Sequence, residues 1–261
     1  RYRMTHISYS ELKNWWTCPH KHKLTYIDKI DGFQGNHYTA FGTAVHDVCE
    51  SMLLDPKIEN EAIKLFESNF FDQIKSLKDK DISFDKEMTK QMYTQGKDLI
   101  PEIMPAVEDY FEDYEVFSTE EKIYEDIEDI KGDYKFKGYI DLVIKTSDNK
   151  YHIIDWKTCT WGWNAKKRAD PQITYQLTFY KHFFAKKHGI DPKMIETHFA
   201  LLKRTAKKNR VEIFRITSGD IKTKNALNIL HKAIHNIGRK VFIKNRLSCK
   251  YCEFYGTEHC T

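Results

Sequence analysis

Two neighbouring stretches confine this chain to a fold built around a sheet. Tyr134–Ile144 alternates polar and apolar residues and then turns apolar, as a strand entering a sheet centre does, and Tyr151–Thr158 follows after the turn residues Ser147, Asp148 and Asn149. The two are expected to pair as a hairpin. Side chains alternate faces along a strand, so Asp155 and Lys157 point the same way about 6–7 Å apart while Trp156 points opposite. That spacing sets a carboxylate and an ammonium over one centre. A hard divalent cation such as Mg²⁺ or Mn²⁺ takes oxygen ligands, and Asp155, Asp141 from the paired strand and the Trp156 carbonyl can supply them. Lys157 cannot ligate while charged; it can orient or help deprotonate a water, or stabilise charge building on a phosphate. Taken alone, an Asp-x-Lys on a strand is also what an ordinary surface salt bridge looks like.

Helical signals surround this pair. Ser8-Tyr9-Ser10-Glu11 reads as a capping box opening a short helix that ends near Cys18-Pro19. Within Thr43–Leu54 the spacing of Val45, Val48, Cys49 and Met52 is helical, which puts His46 and Glu50 on one face. Residues 58–80 and 86–115 read as further helices, the second restarting near Pro101 and Pro105, so a helical insertion is expected. Downstream, Asp170-Pro171 opens a helix that Lys186, Lys187, His188 and Gly189 close. Ile195–Lys203 and Val211–Ile216 read as two more strands. Ser218 is expected to cap a last helix that buries Ile221, Leu227, Leu230, Ile234, Ile237 and Val241.

No Pro-, Gly- or Ser-rich linker divides the 261 residues, and 41% of them are hydrophobic, which favours one ordered unit over disorder. No apolar run approaches the roughly 18 residues of a membrane span, and no signal-peptide core stands at the N-terminus, so a soluble, cytoplasmic protein with no membrane association is expected. The formal charge of +4 hides an asymmetry: residues 1–84 carry −1, 85–133 carry −11 and 134–261 carry +16. A half this basic suits a polyanion, because each Lys or Arg on a phosphate releases condensed counterions; a solvated lysine-rich surface is the other reading.

The motifs resemble the RecB-like branch of the PD-(D/E)XK nucleases, which includes the AddB nuclease domain and the CRISPR-associated RecB-like exonucleases. The family's Gly-x-x-x-His stands as Gly42-Thr43-Ala44-Val45-His46 and its Gly-x-x-Asp as Gly138-Tyr139-Ile140-Asp141. Asp-x-Lys is Asp155-Trp156-Lys157, and Gln-x-x-x-Tyr is Gln176-Leu177-Thr178-Phe179-Tyr180. The resemblance implies an α/β fold: a restriction-endonuclease-like core, a central mixed sheet flanked by helices, with an N-terminal helical insertion and a C-terminal cysteine cluster. It implies a single nuclease domain over 1–261, divided into an N-terminal segment 1–42, a helical region 43–115, a core 116–217 and a C-terminal part 218–261. It implies metal binding by His46, Asp141 and Asp155, catalysis by Lys157, and Gln176 and Tyr180 on the DNA side of the site. Glu50 is a candidate support for His46, and Glu121 a candidate further acid. Lys166, Lys167 and Arg168, with Lys203, Arg204, Lys207, Lys208 and Arg210 of the loop between the last two strands, are the candidate DNA contacts.

Cys249-Lys250-Tyr251-Cys252 and Cys260 give three ligands in a short knuckle, with Cys18 a plausible fourth. The iron–sulfur members of the resembled family use one early cysteine and three late ones, so the resemblance implies an iron–sulfur cluster, [4Fe–4S] being favoured. The seven residues between Cys252 and Cys260 exceed the family's spacing, and four thiolates also hold Zn²⁺; His259 is a conceivable substitute ligand. Cys49 and Cys159 lack partner spacing and read as core residues. The expected activity is a Mg²⁺- or Mn²⁺-dependent DNA nuclease, an exonuclease on single-stranded or end-containing DNA. The alternative is a catalytically idle DNA-binding module serving a helicase or integrase. No phosphate-binding Gly-x-x-x-x-Gly-Lys loop occurs, so unwinding would fall to a helicase or recombination partner. A chain rich in Lys, Asn and Ile fits a phage or AT-rich bacterial gene, and recombination or repair is the expected setting. Oligomeric state, polarity and strand preference stay open.

Overall fold

The computed structural model describes residues 5–261; the opening Arg1, Tyr2, Arg3 and Met4 lie outside them. Five strands follow in the order β1 (His6–Ser8), β3 (Lys135–Thr146), β4 (Tyr151–Cys159), β5 (Ile195–Lys203) and β6 (Val211–Ile216), and β2 (Tyr114–Asp126) also pairs with β3. β3 and β4 are antiparallel with Leu142 opposite Ile154, as the turn residues foretell, and Asn149 takes the left-handed backbone that such a turn needs (φ 61°). β4 and β5 are parallel, and β1 is parallel to β3, so the sheet is mixed.

One arrangement in this sheet positions everything that follows. β2 covers one edge of β3 from residue 135 to residue 146, so the other edge is shared: β1 takes residues 135–137 and β4 takes residues 142–145. Between them, at Gly138–Asp141, the neighbours of β3 diverge. The sheet therefore opens as a fork, and across it the Trp156 amide of β4 donates to Asp141 Oδ2 at 2.8 Å.

Helices cover both faces. On one face α1 (Tyr9–Thr17), α8 (Pro171–His188) and α9 (Asp220–Gly238) bury a core with Phe136, Val143, Ile153 and Phe199. On the other, α3 (His37–Leu54), α4 (Ala62–Asp79), α5 (Lys86–Leu99) and α6 (Ile103–Phe111) pack over Leu142, Ile144, Ile154 and Trp156. Each such buried side chain is worth about 1.5–3 kcal/mol. Gly96 of α5 has no spare room: a Cβ there would lie 2.1 Å from the Phe66 ring of α4, so the two helices meet through a glycine. Two short helices, α2 (Pro19–His22) after α1 and α7 (Ala165–Ala169) before α8, complete the set named here.

Several local expectations shift. α3 starts at His37, ahead of Thr43, because Asn36 caps it and Thr39 closes the capping box. α4 starts at Ala62 after a 3₁₀ turn, and the 86–115 stretch divides at Pro101 and gives way to β2 at Tyr114. Gly219, not Ser218, precedes α9; Ser218 is buried and its hydroxyl bonds Thr178 Oγ1 at 2.8 Å. Ile221 is 80% exposed, and Ala226 and Ala233 join Leu230, Ile234 and Ile237 on the buried stripe, because small residues let α9 approach α8 closely.

Candidate active site

Three elements converge at the fork. Asp141 comes from the open part of β3, Asp155 and Lys157 from β4, and His46 from the middle of α3. Gly42, one turn before His46, explains how α3 reaches the strand: a Cβ at Gly42 would sit 3.2 Å from the Thr158 hydroxyl. Gly138 plays the same part for α8. A Cβ there would stand 2.8 Å from Cε1 of Tyr180, so only glycine lets that ring lie across β3. Gln176 Nε2 donates to the Tyr180 hydroxyl at 3.2 Å, which the four-residue helical spacing permits. His46, Asp141, Asp155, Lys157, Gln176 and Tyr180 are thus neighbours.

The electrostatics follow from burial. Asp155 is buried, and its Oδ2 is ion-paired with the Lys157 ammonium 2.5 Å away. Asp141 is held well above the usual carboxylate range by burial and then by the Asp155 charge. Burial opposes the charge of Lys157, but Asp155 and Asp141 outweigh it, and the ammonium is held above its ordinary value. Burial pushes His46 down to about 4, so its ring is neutral with a lone pair available. Two acids, one of them buried, and a neutral imidazole make a donor set suited to a divalent cation. Trp156 sends its side chain into the core beneath α3, and its amide orients Asp141.

Glu121 does not join this group. It points to α8, where Lys187 Nζ donates to it at 2.8 Å and His188 also reaches it. Its neighbour Glu120 takes the place: burial and the charges of Glu50, Asp47 and Asp155 raise the Glu120 carboxyl. Glu120 has φ 44°, a left-handed backbone that costs a non-glycine residue about 1–2 kcal/mol. Strand register places it opposite Asp141, between the pairs Thr119–Leu142 and Glu121–Ile140. Alternation alone could have told Glu120 from Glu121 had this acidic segment been recognised as a strand.

A cleft of about 420 Å³ adjoins the site, lined by Tyr9, Tyr26, Tyr139, Lys29 and Lys137 as well as Gly138, Gln176 and Tyr180. None of the first five was read as a site residue: Tyr9, Tyr26 and Lys29 come from segments distant from the motifs, and Lys137 and Tyr139 flank Gly138 at positions the motif leaves open. The basic residues divide. Arg204 is 5% exposed and donates to Gln95 Oε1 at 2.6 Å; Arg210 pairs with Glu102 at 3.1 Å; Lys203 and Arg168 both pair with Glu212. These four are held by acids or amides of the fold. Lys166, Lys167, Lys207 and Lys208 are exposed.

The cysteines converge in part. The C-terminal segment docks on the α1–α2 junction through the His20 amide on the Ile243 carbonyl (3.2 Å) and Asn245 Nδ2 on the Thr17 carbonyl (2.8 Å). The Asn245 amide donates to Cys18 Sγ at 3.4 Å, the Cys249 thiol reaches the Asn245 carbonyl at 4.0 Å, and the Cys252 amide closes a turn on the Cys249 carbonyl at 3.0 Å. Cys260 is buried with Leu24 and Phe254. An amide donating to a sulfur and a Cys-x-x-Cys turn beside it suit thiolates that share a metal centre. Cys49 is fully buried, as expected of a core residue, and Cys159 packs against the α8 side.

A family model of the PD-(D/E)XK nuclease superfamily matches residues 6–257. Among solved structures, one from Eubacterium rectale, named as a candidate exonuclease, aligns with TM-score 0.57 and 12% identity over 95% of this chain and 86% of that one. A second, the crystal structure of SSO0001, aligns with TM-score 0.44 and 16% identity over 97% of this chain and 85% of that one. No curated protein matches.

Proposed function

Since this chain belongs to the PD-(D/E)XK nuclease superfamily, we propose that it is a Mg²⁺- or Mn²⁺-dependent deoxyribonuclease that works as an exonuclease on DNA ends. The observation that carries the reading is the fork: two carboxylates from diverging strands, one of them buried and paired with the Lys157 ammonium, meet a neutral imidazole. His46, Asp141 and Asp155 would hold the cation. When bound, it supplies Lewis-acid polarisation of the phosphate and lowers the pKa of water.

The protein's own groups do the rest. Lys157, kept charged by two acids, stabilises the charge that builds on the scissile phosphate. Gln176, fixed by Tyr180, offers its amide to the strand at the mouth of the cleft. Exposed Tyr139 and half-buried Tyr26, with Lys29 and Lys137 along that cleft, combine stacking surfaces with backbone charge, the requirements of a single-stranded end, each stacked base being worth about 1–3 kcal/mol. Exposed Lys166, Lys167, Lys207 and Lys208 add phosphate contacts. Any unwinding belongs to a helicase or recombination partner.

We propose further that Cys18, Cys249, Cys252 and Cys260 hold a structural iron–sulfur cluster, [4Fe–4S] in preference to Zn²⁺, which ties the first helix to the C-terminal segment. Digestion of end-labelled linear and circular DNA, single- and double-stranded, tests the activity. Mg²⁺-dependent loss of linear single strands with circles intact supports it; circles cut as fast as ends defeat the exonuclease reading, and no cleavage with either metal defeats the nuclease reading. About four irons and inorganic sulfide per chain support the cluster, and one zinc replaces it.

A further inference from the structure

A second cluster of potential ligands lies on the other face of the sheet. Asp155 and Lys157 face α8, whereas His152 shares the face of Ile154 and Trp156 beneath the helical layer. Beside it on β5, Glu196 and His198 share the face of Ala200 and Leu202. Among the described residues these three alone bring ligand atoms of at least three side chains within 4.8 Å of one another. His152 Nδ1 lies 3.0 Å from His198 Nε2 and 3.9 Å from Glu196 Oε2. Tetrahedral zinc with nitrogen and oxygen ligands at 2.0–2.1 Å keeps ligand atoms about 3.3 Å apart, close to these separations. We propose that His152 Nδ1, His198 Nε2 and Glu196 Oε2 form a zinc-class site, separate from the candidate active site, that joins β4 to β5 under α6.

The hydrogen bonds around His152 set it for ligation. The Thr146 hydroxyl gives its proton to Asp148 Oδ1 at 2.6 Å, so at 3.0 Å from His152 Nε2 it accepts. Nε2 therefore carries the ring proton and the lone pair of Nδ1 points into the cluster. Without metal, His198 Nε2 must donate to that lone pair, and its Nδ1 accepts from the Tyr110 hydroxyl at 3.4 Å. With metal, the His198 proton moves to Nδ1 and the same hydroxyl accepts it. Tyr110 serves both tautomers, so ligation leaves no buried polar atom without a partner. Burial also keeps both rings neutral, His198 down to about 3. Phe111 covers both imidazoles edge-on, excluding water from one side.

The nearby cations do not occupy the ligand atom. Lys150 and Arg215 each lie 3.5 Å from Glu196 Oε1, leaving Oε2 for the cluster. Their charge opposes a divalent ion, so Arg215→Gln should tighten binding.

The test uses the full chain, freed of zinc and kept in excess Mg²⁺ to occupy hard-ligand positions. Ring-nitrogen NMR of the histidines follows Zn²⁺ addition, and bound zinc is counted in parallel. The His198 proton should move from Nε2 to Nδ1, thermal stability should rise with zinc concentration, and Glu196→Gln should bind one zinc fewer per chain at saturating metal. Removing a buried imidazole can unfold the sheet, so the half-buried Glu196 carries the comparison and the tautomer of the unaltered chain supplies the independent readout. A His198 ring unchanged at saturating zinc, or equal zinc content in the two proteins, overturns the proposal. Cleavage is not read, so a failure here leaves the nuclease reading untouched.

Discussion

At the scale of residues, glycines and one buried acid pair decide what the site can be. Gly138→Ala puts a methyl group 2.8 Å from the Tyr180 ring, which must shift and carry Gln176 with it. Overpacking of this kind costs about 1–3 kcal/mol of stability, while misplacing a positioning group can cost on the order of 100-fold in rate. Steady-state cleavage of single strands should therefore fall far more than the melting temperature suggests; an unaltered rate would detach Tyr180 from the site. Glu121 offers a pH-dependent check. Burial tends to raise its carboxyl, but Lys187, Ser118 and His188 prevail and hold it below its ordinary value. A lowered folded pKa means the unfolded chain binds more protons near pH 4, so this contribution is whole above the unfolded value of about 4.3 and vanishes as pH falls through the folded one. Denaturant midpoints should fall less steeply below about pH 4.5 in Glu121→Gln than in the unaltered chain, and parallel curves would refute the assignment. The right residue types were legible here, but Glu120 was confused with Glu121, because which of two adjacent acids faces a site depends on strand parity.

Among elements, those with strong local signals were legible. β3, β4, β5, β6 and α8 carry turn residues, caps and apolar runs that act over a few positions, and Asp170, Pro171 and Gly189 bound α8 as their chemistry requires. β2 was not legible. It is an edge strand with mostly exposed acidic and polar residues, and Ile123 is its one fully buried side chain. What makes it a strand is the full-length pairing with β3, a tertiary effect. The C-terminal segment is the element most dependent on its docking, since its residues add little apolar burial beyond Phe254 and Cys260, which pack on Leu24. Under the proposed cluster, Cys18→Ala should cost about 3 kcal/mol, or roughly 6–12 °C in melting temperature, and the bound iron and sulfide should be lost. An iron-free variant of unchanged stability would show that the cysteines do not clamp the fold.

For the whole molecule, the asymmetric charge is a weaker guide than it looks. Of the basic residues singled out, Arg210 meets Asp98 and Glu102 and Arg204 meets Gln95, all from the folded-back 85–133 stretch, while Lys203 and Arg168 pair with Glu212. Net charge records none of this pairing. Replacing Lys166, Lys167, Lys207 and Lys208 with Gln should flatten the slope of log affinity against log salt by about 0.7 for each single-strand phosphate that these lysines neutralise. Replacing Arg204 should instead lower stability, since Gln95 and Thr160 lose their partner. An unchanged slope in the lysine variant would make these residues solvated surface.

The central claim is that Asp155 and Lys157 act on DNA from the fork, and it is tested most directly by measuring single-turnover cleavage and DNA affinity together in Asp155→Ala and Lys157→Ala proteins supplied with Mg²⁺ or Mn²⁺. Both variants should bind single-stranded DNA within a few-fold of the unaltered chain, because all but one of the proposed phosphate contacts are kept, and both should lose cleavage by at least about 1,000-fold. Cleavage by purified, folded Asp155→Ala protein at the rate of the unaltered chain would contradict the account.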